Sequence, residues 1–179
     1  MKKIYLVLAI ILISVFSVVR SDEQFNIRKA QWGMTSDEVI KSENSVLWIN
    51  RRAVEIPSGY LILSASTEYK KGFYSILSYV LKNNHLVSAS YWFYPTKMLR
   101  EDYTKEMYID DFKQIQEYLE KQYGKPDKVI KDYQCIWNTD RTAIIHLIKE
   151  QFDSASHGII YYDIKVWKQM DEKTVLLNQ

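Results

Sequence analysis

Two hydrophobic periods alternate along this chain, and the points where one gives way to the other mark its elements. Over 108–123 apolar residues recur at spacings of four and three: Tyr108, Phe112, Ile115, Leu119 and Tyr123. Asp111, Lys113, Gln116, Glu117, Glu120 and Lys121 fall elsewhere on the turn, so the stretch reads as an amphipathic helix. Gly124 in the C′ position and Pro126 beyond it stop the helix. A shorter helix is predicted over about Ser36–Asn44. Thr35 and Glu38 form a capping box, Met34 and Val39 a hydrophobic staple, and Asp37 with Glu38 face the positive end of the helix dipole.

Between and after these helices the period drops toward two. Tyr60–Tyr69, Phe73–Lys82 and His85–Tyr94 read as strands, preceded by further extended chain and a Pro57-Ser58-Gly59 turn. Lys71-Gly72 and Asn83-Asn84 supply two-residue hairpin turns. A plain turn at Asn83-Asn84 sets Val80 opposite Val87, Ser78 opposite Ala89 and Ile76 opposite Tyr91. With Leu61, Leu63 and Ala65 these make the drier face, which is assigned to the core. Ser75, Leu77, Tyr79 and Leu81, with Leu86, Ser88, Ser90 and Trp92, fall on the other face. After the long helix, Lys128–Trp137, Thr142–Lys149 and Gly158–Trp167 read as three more strands. Asn138–Arg141 turns the first pair, and the polar stretch Asp153–His157 connects the last.

Helix, three-strand meander, helix, three-strand meander is the order expected of an α+β fold. Both helices are expected to pack on one face of a mainly antiparallel sheet. With five Gly and three Pro in 179 residues there is little linker material. Residues 22–170 therefore read as one domain of two similar halves, about 25–96 and 97–170, with a frayed tail at 171–179.

The N-terminal segment changes the reading of charge and address. Met1-Lys2-Lys3, the apolar run Ile4–Val19 and the small residues Val19 and Ser21 have the layout of a secretory signal over residues 1–21. The alternative is a retained anchor. Sixteen helical residues span about 24 Å, short of a hydrocarbon core of about 30 Å. The expected location is extracytoplasmic, periplasmic or secreted, with membrane attachment through 4–19 if the segment is kept. Loss of Lys2, Lys3 and Arg20 takes Lys plus Arg from 24 to 21 against 22 acidic residues, a net charge of −1. A near-neutral domain offers no electrostatic footprint for nucleic acid.

Candidate chemistry is sparse. The single cysteine, Cys135, sits between Tyr133 and Trp137 in an apolar run and is expected to be buried. His85, His146 and His157 lack the short spacings of a zinc site, so neither a metal nor a cofactor is assigned. His146 is expected to be partly buried and hydrogen-bonded, and the other two to lie at the surface. No nucleophile elbow or phosphate loop occurs, so no catalytic residue is assigned and an enzyme is not the favoured reading. Binding residues are easier to nominate. Trp92, Tyr94 and Tyr79 fall near the less apolar sheet face with Leu77, and Tyr161 and Trp167 share one side of the last strand. Rigid aromatics among hydroxyl residues make contact surfaces at low entropic cost.

Three segments carry a resemblance: Trp32-Gly33-Met34-Thr35-Ser36-Asp37-Glu38-Val39, Leu86-Val87-Ser88-Ala89-Ser90-Tyr91 and Tyr123-Gly124-Lys125-Pro126. In these the chain resembles a group of uncharacterised small exported bacterial proteins, over roughly Phe25–Trp167, with Asp37 standing where the pattern has Glu. At fold level it is more distantly similar to small outer-membrane-assembly lipoproteins and to the β-lactamase inhibitor protein. The chain lacks the lipidated cysteine of the former. The resemblance implies action by presenting a sheet or loop surface to another protein or an envelope component, without catalysis. Two alternatives stand beside it: a small secreted hydrolase whose site assembles only in three dimensions, and a membrane-anchored structural subunit.

Overall fold

Among the described residues eight strands, all antiparallel, hydrogen-bond into one sheet in the order β1-β2-β3-β4-β8-β7-β6-β5. They are β1 (Leu47–Ile56), β2 (Tyr60–Lys70), β3 (Phe73–Lys82), β4 (His85–Phe93), β5 (Lys128–Val129), β6 (Gln134–Asn138), β7 (Thr142–Gln151) and β8 (Ser154–Asp163). Among the described residues three helices accompany them: α1 (Ser36–Ser42), α2 (Lys105–Tyr123) and α3 (Ile164–Gln169). The computed structural model describes residues 27–44, 46–56, 59–94, 104–130, 133–151 and 154–170. The apolar segment 4–19 with its expected cleavage site, Pro57-Ser58 and the tail 171–179 lie outside the described residues. The architecture is α+β and mostly antiparallel sheet.

Both long-range helices begin as their sequences dictate. The Glu38 N–H donates to Thr35 Oγ1 at 3.4 Å, and the Thr35 N–H donates back to Glu38 Oε2 at 2.8 Å. α2 starts on Thr104, whose hydroxyl accepts from the Met107 N–H. It ends at Gly124, where a φ of 82° favours glycine and the N–H returns to Glu120 O. The Trp32-Gly33-Met34 segment is fixed to the sheet: Gly33 N–H donates to Leu86 O at 2.9 Å and Leu86 N–H to Met34 O at 2.8 Å. Trp32 Nε1 donates to Thr142 Oγ1 at 3.0 Å, tying this segment to the second meander.

The turn at Asn83-Asn84 has both residues at positive φ, as a tight hairpin of this hand requires. The register beyond it departs from the simple expectation. Lys82 pairs with His85 and Leu81 with Leu86, but Val80 then pairs with Ser88, so Val87 is the extra residue of a bulge. Every later pair is displaced by one: Tyr79 faces Ala89, Leu77 faces Tyr91 and Ile76 faces Trp92. A slip of one residue exchanges the faces of a strand. Leu77, Tyr79 and Leu81 therefore join Leu63, Ala65, Ala89 and Tyr91 in the core, while Ile76, Ser78 and Val80 turn away from it.

Three more expectations are corrected. Each meander has a fourth, outer strand. β1 occupies one edge, and Lys128–Trp137 divides into β5 and β6, which pair with each other and are closed by Ile130 N–H to Gln134 O. The polar stretch before Gly158 is strand from Ser154 on, because its backbone pairs with β7 down to Gln151↔Ser154 whatever the side chains. The last strand stops at Asp163, whose carboxylate caps α3 by accepting from the Lys165 N–H at 2.8 Å. Trp167 is thus helical.

The sheet has a core on each side. One contains Val39 of α1 and Phe112, Ile115 and Leu119 of α2, packed on Leu63, Leu77, Tyr79, Tyr91, Trp137, Ile144, Ile159 and Tyr161. The other puts Ile164 and Trp167 of α3 over Ile136, Ala143, Ile145 and Leu147. The expectation of helices on a single face does not extend to α3, which covers only the second meander's far side.

Candidate functional site

The five aromatic residues nominated for binding go to three different places. Tyr79 and Tyr161 are buried in the α2-side core, 0 % and 4 % exposed, and Trp167 is buried at 6 % under α3. These three cannot form an open contact patch. The bulge at Val87 carries Tyr79 inward, and the cap at Asp163 folds Trp167 back. Trp92 and Tyr94 do lie on the face of the first meander that turns away from α1 and α2.

That face is built by cross-strand rungs. One runs Leu47·Ser66·Ile76·Trp92·Gly158, the next Ser64·Ser78·Ser90·Ile160, and the third Val54·Ile62·Val80·Ser88·Tyr162. Across the seam to β8 the same rungs become apolar and pass under α3. On β1–β3 and just past β4 this face stays open: Val54, Tyr74, Ile76 and Tyr94 are 47, 41, 42 and 39 % exposed, and Leu47 75 %. Serine hydroxyls hold the surface between them, with Ser64 and Ser78 Oγ 3.4 Å apart and Ser66 Oγ 3.1 Å from the Tyr94 hydroxyl. On β2 and β3 the charged residues of this face stand at the margins, Glu68 beside Tyr74 and Lys82 at the hairpin end. Contiguous exposed apolar surface of this kind marks interaction sites.

Trp92 forms the border of the open face. It is half-buried and packs with Ile160 and Tyr162 on the α3-side core. Its indole lies over Gly158, where a Cβ would fall 2.6 Å from Trp92 Cε3 and 2.8 Å from Tyr91 O. Gly158→Ala is therefore expected to cost about 1–3 kcal/mol through overpacking. The loss should appear in the urea midpoint together with a changed Trp92 environment in fluorescence.

A polar network lies beneath the opposite face. Glu43 is fully buried and accepts from Arg28 Nε at 2.9 Å, the Lys29 N–H at 3.1 Å and the Tyr79 hydroxyl at 2.7 Å. Arg28, at a φ of 51°, also donates to Thr67 Oγ1 at 3.2 Å. Burial, with the Glu43 charge next, raises the Tyr79 pKa far above the ordinary phenol range, so Tyr79 stays a neutral donor. Nearby, the Tyr69 and Tyr161 hydroxyls meet at 3.0 Å. The network clamps the Ile27–Ala30 turn and the end of α1 to β3.

The third polar feature is a histidine pair. His146 is buried, as its sequence suggests, but His157 is buried too, 1 % exposed, and not at the surface. Alternation places both on the α2 side of β7 and β8, where their Nε2 atoms lie 2.7 Å apart. Phe112 stacks flat on His146, with ring centroids 4.0 Å apart and planes at 5°. Among the described residues neither Nδ1 has a hydrogen-bond partner, and neither ring meets a carboxylate or hydroxyl. Burial lowers both pKa values, His157 to about 3 and His146 well below its ordinary value, with His157 adding to the effect there. Cys135, opposite His146 on β6, is buried, and burial pushes its thiol up to about 11, which leaves it protonated. Among the described residues no group of three or more His, Cys, Asp or Glu is placed to hold a metal ion.

Sequence reasoning missed Leu47, Val54, Tyr74 and Ile76 at the open face, and His157 in the pair. An extra residue in β4 was the only signal for the first, and it is invisible without the partner strand. The β-period from Ala155 through His157 to Ile159 was a usable signal for the second.

Residues 25–173 match the TP0088 domain. No curated protein and no solved structure matches the chain.

Proposed function

The chain belongs to the TP0088 domain family, and from that premise we propose a non-enzymatic, extracytoplasmic binding domain. It docks another protein on the open face of β1–β4, and the N-terminal segment delivers it outward or tethers it. The observation that carries the reading is the run of exposed apolar and aromatic residues along one sheet face, Val54, Ile76, Tyr74 and Tyr94. These are side chains that a monomer gains nothing by leaving in water. Among the described side chains of β2 and β3 the charges, Glu68 and Lys82, stand at the margins, which favours a partner presenting a flat, largely uncharged surface of its own. Among the described residues no helix is long and apolar enough to cross a membrane.

Ile76→Lys tests this directly, because it sets a charge in the middle of the patch without touching either core. Recovery of a bound protein from an envelope fraction is expected to fall at least tenfold. Lys113→Ala, on the exposed side of α2, should leave recovery unchanged. Full recovery by folded Ile76→Lys protein would remove the open face from the claim.

A further inference from the structure

The histidine pair has a proton count that the fold can hold only at neutrality. One hydrogen lies between the two Nε2 atoms, 2.7 Å apart. One ring is therefore the Nε2–H tautomer and its neighbour the Nδ1–H tautomer. Each then has a second nitrogen, a bare lone pair on one ring and an N–H on the other, buried with no partner among the described residues. A first added proton turns both Nδ1 atoms into unpaired donors around a buried charge. A second sets two N–H groups against each other across the same short gap, which forces the rings apart.

What gives way is decided by the surroundings. The backbones of His146 and His157 are locked in the β7–β8 ladder, with pairs on both sides of them. Above them lies α2, and Phe112 touches both rings, at 4.0 and 5.8 Å between centroids. β4 contributes Phe93, 4.8 Å from His157. Among the described residues, the titratable groups around the pair include Cys135 from β6, with Glu120 of α2 beyond it, and, against Phe112, Tyr133 just before β6. Among the described residues no carboxylate is set against either ring to answer an imidazolium. The C-terminal half of α2 is pinned separately, by buried Leu119 and by Trp137 Nε1 donating to Gly124 O at 2.9 Å.

We propose that His146 and His157 form an acid-operated latch beneath α2. Proton uptake parts the rings, displaces Phe112 and lifts the N-terminal half of the helix, Lys105–Phe112, from β7 and β8, while the half ending at Tyr123 stays seated. Lifting uncovers Phe93, Phe112 and Ile159 as a new apolar surface, on the side of the sheet opposite the open face.

Hydrogen exchange on the full chain, read by mass spectrometry and corrected for intrinsic rates, tests the latch. Between pH 7.5 and 5, protection over Tyr108–Ile115 is expected to fall at least tenfold while the amides of β2 and β3 keep theirs. In a His146→Leu, His157→Leu protein that local loss should vanish. If that variant fails to fold, the imidazole resonances of the native protein decide the matter, because their titration must coincide with the opening of α2. Unchanged protection of α2, simultaneous loss in every element, opening that persists without the histidines, or rings that titrate without opening would each overturn the proposal.

Discussion

Replacing Glu43 by alanine is expected to destabilise the protein by about 3–5 kcal/mol, the cost of removing one member of a buried, hydrogen-bonded ion pair. Glu43 accepts from three donors, and each is stranded differently. Arg28 keeps its bond to Thr67 but loses its counter-charge in a half-buried position. The Tyr79 hydroxyl, which donates to Glu43, becomes an orphan inside the core among the described residues. The Lys29 N–H loses the acceptor that fixes the turn before α1. Against a total stability of about 5–15 kcal/mol for a domain of ordinary size, that is a large share. The urea midpoint should drop accordingly and the melting temperature by on the order of 10 °C. Glu43→Gln, which still offers an oxygen to Tyr79 and Lys29, should lose less than half as much. Equal losses in the two variants would show that hydrogen-bond acceptance is not what Glu43 supplies.

The contrast between what sequence patterns reveal and what they hide follows from where the information lies. Helices α1 and α2 are legible because cap, staple, stripe and stop are local: Thr35 with Glu38, Phe112 with Ile115, Gly124 with Pro126. The hairpins are legible for the same reason, since two consecutive asparagines tolerate the turn. The face of β3 is not. Ile76, Ser78 and Val80 are about as apolar as Leu77, Tyr79 and Leu81, so local hydrophobicity does not choose between them. The decision comes from Val87, an extra residue in the neighbouring strand, and from Glu43, whose buried carboxylate draws Tyr79 inward. The open face was hidden with it, because a surface is identified only once the buried side is known. Trp167 failed through a similar non-local cause. Its strand-like run is interrupted by Asp163, whose capping role appears only when Arg141 O receives the Ile164 N–H and the chain turns. The histidine pair joins residues eleven positions apart in sequence, neither of which signals the other.

Acid should weaken the fold through the histidines, and the sign follows from their depressed pKa values. In the unfolded chain each imidazole titrates near 6.5. In the fold burial holds His157 down to about 3 and His146 well below its ordinary value. Below about pH 6.5 the unfolded state therefore binds protons that the folded state refuses, and stability rises with pH across that window. The contribution is complete above about pH 6.5 and is lost as pH falls. For His157 the cost is about 1.4 kcal/mol per pH unit, about 2 kcal/mol by pH 5, and His146 adds to it in the same direction. Urea midpoints measured in steps from pH 7.5 to 4.5 should trace this slope, and the His146→Leu, His157→Leu protein should flatten it. A native profile as flat as the variant's would mean the rings are charged or solvated in the fold. Curvature carries further information: if α2 lifts before the sheet unfolds, the lifted form takes up the same protons. The steep slope should then level off below the pH of lifting, at the point where hydrogen exchange places the opening.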